Sequence, residues 1–243
     1  MKIIKSEIFN KYPGIKFGVS TKIGNNSEPP FYFNLSYVVG DKPEAVKENR
    51  KMFFKELGVN ERQVSFQRQT HSVNSNFVTS PSFYENSDAL YTNIKNNFLA
   101  ISVADCIPVF IYEPEKNVIA AIHSGWKGTL NKITTVTIKK LIDEFSINIQ
   151  NVFAFIGPGI SGENFEVGSD VVKLFNDDVK IKREEKYFID LKKHNYLQLL
   201  ELGVKPENTE VSGLCTFKEK DLLHSYRRDK NFSGRMLGVI GLI

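Results

Sequence analysis

Residues 98–112, FLAISVADCIPVFIY, are almost entirely apolar, rich in β-branched and aromatic side chains, and broken only around Asp105, Cys106 and Pro108; residues 117–123, NVIAAIH, form a second apolar run. Runs of this kind, too continuous to alternate, fit strands covered on both faces rather than strands with one face in water. The short polar turn Glu113 to Lys116 between them predicts that the two strands pair and lie in a central sheet. Cys106 then sits in the first strand and His123 at the end of the second, so pairing would bring the thiol and the imidazole close together.

Working outward, Phe17 to Thr21 reads as a strand and the polar run Gly24 to Pro30 as a loop. A helix is expected next. Asp41 and Glu44 have capping-box spacing around Pro43, Val46, Arg50, Phe53, Phe54 and Leu57 recur at helical intervals, and Gly58 ends the element. Val64 to Phe66 is a short strand leading into Gln69-Thr70-His71-Ser72, and Asp88 to Thr92 is another short extended piece. Beyond Trp126-Lys127-Gly128 a helix is expected to run to about Phe145, with Ile138, Leu141, Ile142 and Phe145 on one face. Val152 to Ile156 then forms a strand entering Gly157-Pro158-Gly159. Asp170 to Phe175 and Leu191 to Leu202 are predicted helical, with Gly203 stopping the second, and Glu210 to Thr216 and Met236 to Leu242 supply late strands. Hairpin-like strand pairs mixed with helices, and no internal repeat, predict a mixed α/β or α+β domain over residues 1–243: a layered sandwich of central mixed β-sheets flanked by helices.

The bulk composition narrows the function classes. With 243 residues, 41% hydrophobic and 25% charged, the chain has the makeup of a globular domain and not of a disordered or fibrous one. No stretch approaches the roughly 20 apolar residues that span a bilayer, and the opening MKIIKSEIFNKYPG has no apolar segment of signal-peptide length. A cytoplasmic location is expected, with no membrane partner. The two cysteines, Cys106 and Cys215, are then expected as thiols. A net charge of +4, with bases scattered among acids, suits a small anionic substrate such as phosphate but falls short of a nucleic-acid footprint.

Only four histidines are present: His71, His123, His194 and His224. His123 closes a buried strand and opens His-Ser-Gly-Trp-Lys-Gly, where two glycines would let the backbone turn and leave the imidazole at the sheet rim. Two imidazoles and a thiolate, His71, His123 and Cys106, are a donor set suited to zinc with a fourth position open. Two other readings stand beside it. Cys106 could be a small buried apolar residue with each histidine capping a strand end, or a nucleophile activated by His123 with no metal at all.

The segments QTHS (69–72), SDALYTN (87–93), SVADCIPVFIY (102–112), AAIHSGWKGT (120–129), IGPGISGENFEVG (156–168), SGLCTF (212–217) and HSYRRDKNFSGRMLGVIGL (224–242) occur in the order found in one family, as do FGVSTKIG and NLSYVVGD nearer the start. The chain resembles, over nearly its whole length, the laccase-domain proteins, also called polyphenol oxidases or peptidoglycan editing factors and usually described as zinc-dependent purine nucleoside phosphorylases. The resemblance implies an α/β sandwich with sheets between helical layers. It makes His71, Cys106 and His123 the zinc ligands; by the Irving–Williams order, copper would be able to displace zinc from such a site in vitro. It also implies phosphorolysis of adenosine, inosine and 5′-methylthioadenosine, with deamination of adenosine alongside. Ser72 stands where the family usually has glycine, Lys127 where arginine is common, and 159–164 lacks cysteines often found there.

Within that picture Lys127, Arg227, Arg228 and Arg235 are the candidate phosphate anchors; for the Arg227/Arg228 pair the plain alternative is a solvated surface position. Asp105 and Glu166 are the candidate catalytic carboxylates, with orientation of neighbouring groups as the alternative for Asp105 and an exposed loop for Glu166. Trp126 could stack on a purine or simply pack. Cys215, His194 and His224 are read as structural. Against the phosphorylase stand a peptidoglycan-editing hydrolase acting on misincorporated amino acids in cell-wall precursors, a metal-free Cys/His hydrolase, and a non-enzymatic binding module. A multicopper laccase would need more imidazoles than four histidines supply once two are spent on one site.

Overall fold

Asp105 splits the long apolar run in two. In the computed structural model, which describes residues 1–24 and 28–243, Asp105 takes a left-handed φ of 84°. Ala104 to Cys106 is therefore a bend, and the expected single strand becomes two strands in different sheets. Part of the expected Gly24–Pro30 loop, Asn25 to Ser27, lies outside the described residues.

In chain order the strands are β1 (Ile3–Ile4), β2 (Ile15–Ser20), β3 (Val64–Gln67), β4 (Ser75–Phe77), β5 (Phe83–Tyr84), β6 (Ala89–Thr92), β7 (Phe98–Val103), β8 (Ile107–Glu113), β9 (Val118–Ser124), β10 (Phe153–Ile156), β11 (Glu166–Val167), β12 (Lys180–Arg183), β13 (Lys186–Ile189), β14 (Thr209–Val211) and β15 (Met236–Leu242). The α-helices are α1 (Pro43–Leu57), α2 (Trp126–Leu130), α3 (Ile133–Phe145), α4 (Ser169–Val172), α5 (Leu191–Leu202) and α6 (Tyr226–Asp229). Two mixed sheets form, in the orders β1-β2-β15-β7-β3-β5 and β14-β10-β8-β9-β6-β4, and β11-β13-β12 make a small third sheet. The β8–β9 hairpin pairs as its sequence predicts, with Pro108 opposite His123 and Val109 opposite Ile122.

The two large sheets are stacked, and alternation along each strand decides which layer a side chain enters. Leu99, Ile101 and Val103 of β7 and Phe110 and Tyr112 of β8 point into the layer between the sheets, with Phe17, Val19, Leu90, Ile119, Phe155 and Ile240. The alternate residues of β8, Ile107, Val109 and Ile111, face Ile133, Ile138 and Leu141 of α3 and Leu199 of α5. Phe98 and Ala100 of β7 face Phe53, Phe54 and Leu57 of α1. The result is four layers, helix, sheet, sheet, helix, which is why both runs are apolar on both faces of their strands; each such large side chain contributes about 1.5–3 kcal/mol by leaving water. Gly238 of β15 opens room for a ring across the layer, since a Cβ there would lie 2.5 Å from Cζ of Phe110.

Several local expectations change. The α1 N-cap is Lys42, without a side-chain capping bond, and Pro43 with its fixed φ starts the helix instead of an Asp41–Glu44 box. Gly58 ends α1 in the left-handed conformation, and Gly203 does the same for α5. The helix expected after Trp126 breaks into α2 and α3 at Lys132, whose φ is 60°. Glu210 to Thr216 is a strand only as far as Val211, and Cys215 makes an isolated bridge to Gly159. The hairpin β12–β13 was not expected: β12 is charged and largely exposed, and the apolar stretch of β13, Tyr187 to Ile189, is too short to announce a strand.

Candidate metal centre

Three chain segments converge at one end of the sandwich. His71 lies in the loop after β3, Cys106 in the bend between β7 and β8, and His123 near the end of β9. Their donor atoms lie within 4.8 Å of one another, with Sγ of Cys106 3.7 Å from Nε2 of His71 and the two imidazole centroids 5.0 Å apart. Cys106 is thus in the bend that joins the two sheets and not within a strand.

Asp88, which the sequence does not mark as part of the site, organises it. Its side chain is fully buried at the start of β6. Oδ1 accepts from Nδ1–H of His123 at 2.8 Å and from the backbone N–H of His71 at 3.0 Å. Oδ2 accepts from the backbone N–H groups of Thr70 at 3.1 Å and Ser72 at 2.7 Å, and from Oγ–H of Ser72 at 2.7 Å. Burial pushes the Asp88 carboxyl up, but the bonds from His123 and Ser72 outweigh it and hold the group well below the usual carboxylate range. The cluster of donors also pins His71 in a left-handed conformation, φ 60°, that a free chain would resist. Ser72 is therefore part of this network through its hydroxyl.

With Nδ1–H committed to Asp88, Nε2 of His123 faces the cluster and presents a lone pair to it once its own proton is shed, the arrangement in which a carboxylate orients a ligating histidine. Burial pushes the Cys106 thiol up, yet its proximity to His123 and His71 more than compensates and lowers it to about 6. His123 is raised in turn: burial opposes its protonation, and Cys106 and Asp88 overcome that opposition. Gly125 matters for space and not for a turn. Its φ is an ordinary −69°, but a Cβ there would stand 2.5 Å from Cδ2 of His71 and 3.1 Å from Sγ of Cys106. Two imidazole nitrogens and a thiolate, with the tautomer set and backbone withdrawn beside them, fit a divalent metal of borderline softness such as zinc.

Two cavities meet at this cluster. The larger, about 690 Å³, includes Tyr37, Arg50, Phe66, Arg68, Ser102 and Arg235 in its lining, and no carboxylate among the described residues. The second, about 560 Å³, includes Trp126, Phe165, Val171, Glu166 and Arg227. His71, Ala104, Cys106 and Tyr226 line both.

The other sequence candidates separate clearly. Asp105 is buried, and both its oxygens are engaged: Oδ1 accepts from Oγ1–H of Thr216 and Oδ2 from the backbone N–H of Arg227, each at 2.6 Å. Glu166 stands at the rim of the second cavity with Lys186 Nζ 3.0 Å away. Arg227 lines that cavity, donates to the carbonyl of Glu166 at 2.9 Å and lies over the Phe165 ring. Arg228 lines neither cavity and is not a solvated surface residue: it donates to the carbonyls of Thr216, Phe217 and Leu223 and pairs with Asp229, stapling the C-terminal loop. Lys127 is exposed, holds its ammonium 5.5 Å from the Trp126 ring, and lines neither cavity. Trp126 packs partly on the core and also forms part of the wall of the second cavity. Arg235 donates through Nη1 to the carbonyls of Ser233 and Gly234 and, among the described residues, has no carboxylate within ion-pair distance, whereas Arg50 pairs with Glu61 and Arg68 with Glu85. Cys215, His194 and His224 are buried and are not among the cluster's donors; His194 packs on Phe175, and Cys215 accepts from the N–H of Ser161.

A family model described as multi-copper polyphenol oxidoreductase laccase matches residues 16–243. A Bacillus subtilis protein named purine nucleoside phosphorylase YlmD is 35% identical, over 93% of this chain and 87% of its own length. A Bacteroides thetaiotaomicron protein named purine nucleoside phosphorylase is 32% identical, over 98% and 96% respectively. Among solved structures, the Bacillus licheniformis hypothetical protein YfiH superposes with a TM-score of 0.93 at 31% identity, covering 99% of this chain and 96% of that one.

Proposed function

The chain belongs to the multi-copper polyphenol oxidoreductase laccase family, and from that premise we propose that it is a cytoplasmic, zinc-dependent purine nucleoside phosphorylase. It takes adenosine, inosine or 5′-methylthioadenosine with phosphate to free base and the ribose 1-phosphate. The observation that carries this reading is the His71–Cys106–His123 cluster at the junction of two cavities, one of them walled by arginines without a lining carboxylate and the other by Trp126 and Phe165. The names of the relatives support the same reaction.

His71, Cys106 and His123 are the residues that hold the ion. When bound, zinc supplies a Lewis acid that stabilises charge on an oxygen or nitrogen of the substrate. The remaining work falls to the chain. Phosphorolysis breaks the bond between N9 of the purine and C1′ of the sugar; the bonding pair leaves with the base, a phosphate oxygen forms the new bond to C1′, and the base takes up a proton. Because the sugar passes through a cation-like state, water must be excluded and the phosphate held in place beforehand. Arg235 is the phosphate anchor, since its guanidinium lines the larger cavity and makes no ion pair among the described residues. Arg227 is a second, weaker candidate from the other side. Asp88 fixes the tautomer of His123 and the backbone of His71. Deamination of adenosine is the companion activity, and Glu166 is the carboxylate left for it, because both oxygens of Asp105 are taken.

Steady-state kinetics of wild type and Arg235→Met against phosphate test the assignment. A raised KM for phosphate with the KM for inosine little changed supports it. Phosphate-independent release of base, or release of inosine alone from adenosine, would instead favour hydrolysis or deamination. No nucleoside turnover at all would overturn the reading and leave cell-wall precursors as the substrates to try with the Cys106/His123 pair.

A further inference from the structure

Of the four residues that line both cavities, His71 and Cys106 belong to the cluster and Ala104 to the bend beside it; Tyr226 comes from the far end of the chain. Its side chain is a large aromatic left 48% exposed, and its place is nevertheless fixed. Ser225 caps the short α6, its Oγ accepting from the N–H of Arg228 at 3.3 Å. The next residue, Arg227, donates its backbone N–H to Oδ2 of Asp105 at 2.6 Å, and Asp105 adjoins Cys106 in the bend. The Arg235 guanidinium lies 5.5 Å from the centre of the Tyr226 ring. An exposed ring is thus tied through a buried carboxylate to the neck between the cavities.

The cavities differ in chemistry. The first carries Arg50, Arg68 and Arg235 with no lining carboxylate among the described residues, beside the rings of Tyr37, Phe66 and Phe83, and is net cationic; the second sets Arg227 and Lys230 against Asp105 and Glu166 around the rings of Trp126 and Phe165, and its charges balance. A purine nucleoside with its co-substrate has the same division: an aromatic base at one end, an anion at the other, and the reacting carbon between them. Resting on the phosphorylase reading for the identity of the ligand, we propose that Tyr226 is a specificity-determining partition that holds the purine in the Trp126/Phe165 cavity and apart from the arginine-lined cavity where phosphate binds. The glycosidic bond then lies at the neck beside His71 and Cys106. Asp105 acts through the backbone of Arg227 as a positioning residue for this ring.

Trp126 is the only tryptophan in the chain, so its fluorescence reports directly on the second cavity. Zinc-loaded wild type, Tyr226→Ala and Tyr226→Phe are titrated with inosine and, separately, with inorganic phosphate, and zinc content and circular dichroism are measured for each. The expected result is that inosine changes Trp126 emission in wild type, that its affinity falls about tenfold in Tyr226→Ala, as loss of one aromatic contact allows, and that Tyr226→Phe restores it. Phosphate alone should leave the emission unmoved. Should Tyr226→Ala fail to fold, Tyr226→Leu, bulky but not flat, is expected to show the same loss. Equal inosine affinity with and without the ring, a response to phosphate alone, or inosine turnover with silent Trp126 emission would overturn the partition. A ring-dependent Trp126 response without any phosphorolysis would instead uphold the partition and overturn the phosphorylase reading.

Discussion

Replacing Asp88 by asparagine tests how the cluster is built, because the substitution preserves shape and removes charge. The carboxylate receives two donors on Oδ1, from His71 and His123, and four on Oδ2, from the N–H and O–H of both Thr70 and Ser72. Asparagine has one carbonyl oxygen, so either way round its amide confronts at least two backbone or ring N–H groups in a site sealed from water. Losing two buried hydrogen bonds to a charged acceptor, at about 1.5–3 kcal/mol each, predicts a stability loss of about 3–6 kcal/mol in the metal-free protein. If the amide faces His123, the imidazole escapes by moving its proton to Nε2, which removes the lone pair that a metal needs. Zinc affinity is therefore expected to fall ~10–100-fold, the usual effect of losing such a partner. Urea unfolding of the metal-free protein and chelator competition for zinc give the two numbers. The acid side supplies a third. Because the Asp88 pKa is lowered on folding, its stabilising contribution is complete above its unfolded value of about 3.9 and drains away as pH falls through the lower folded value. Asp88→Asn should flatten that part of the stability profile. Unchanged zinc affinity together with unchanged stability would refute the role given to Asp88.

Gly125→Ala should lower zinc content while leaving the melting curve of the metal-free protein nearly in place, since the added methyl meets His71 and Cys106 at the surface of the site and not the core; a normal zinc content would contradict this. In the metal-free protein, iodoacetamide should label Cys106 with a rate that rises with pH through about 6, zinc should protect it, and buried Cys215 should be spared, all read by mass spectrometry of peptides. Arg228→Ala should destabilise the fold by about 3 kcal/mol, because carbonyls of Thr216, Phe217 and Leu223 lose their donor. Arg228→Lys should not restore it, one ammonium being unable to reach as many carbonyls as the planar fork; denaturant midpoints decide.

The sheets and long helices were largely legible because their signals are local. The β8–β9 hairpin, β15, α1 and α5 follow from apolar runs, helical spacing, and Gly58 and Gly203. The bend at Asp105 was hidden, because strands buried on both faces are apolar whichever sheet they join, and a left-handed aspartate leaves no mark in hydrophobicity. Lys132 broke the expected long helix in the same silent way. At the site, His71, Cys106 and His123 came from motif order; spacing alone left other readings of them open. Asp88 was missed although it lies in the SDALYTN segment: an acid just before a short strand looks like a turn residue until its six donors are brought from two other segments. The one sequence signal was an ionisable group directly preceding the buried run Ala89 to Thr92. Arg228 was misjudged because its partners are carbonyls, which sequence does not display.

The most direct test of the proposed activity combines metal analysis with product identification from adenosine and inosine, with and without phosphate, for wild type and Cys106→Ala. The account predicts one zinc per chain in wild type, phosphate-dependent release of adenine and hypoxanthine, and loss of both metal and phosphorolysis in the variant. Full phosphorolysis by a Cys106→Ala protein, or by wild type stripped of metal, would contradict it.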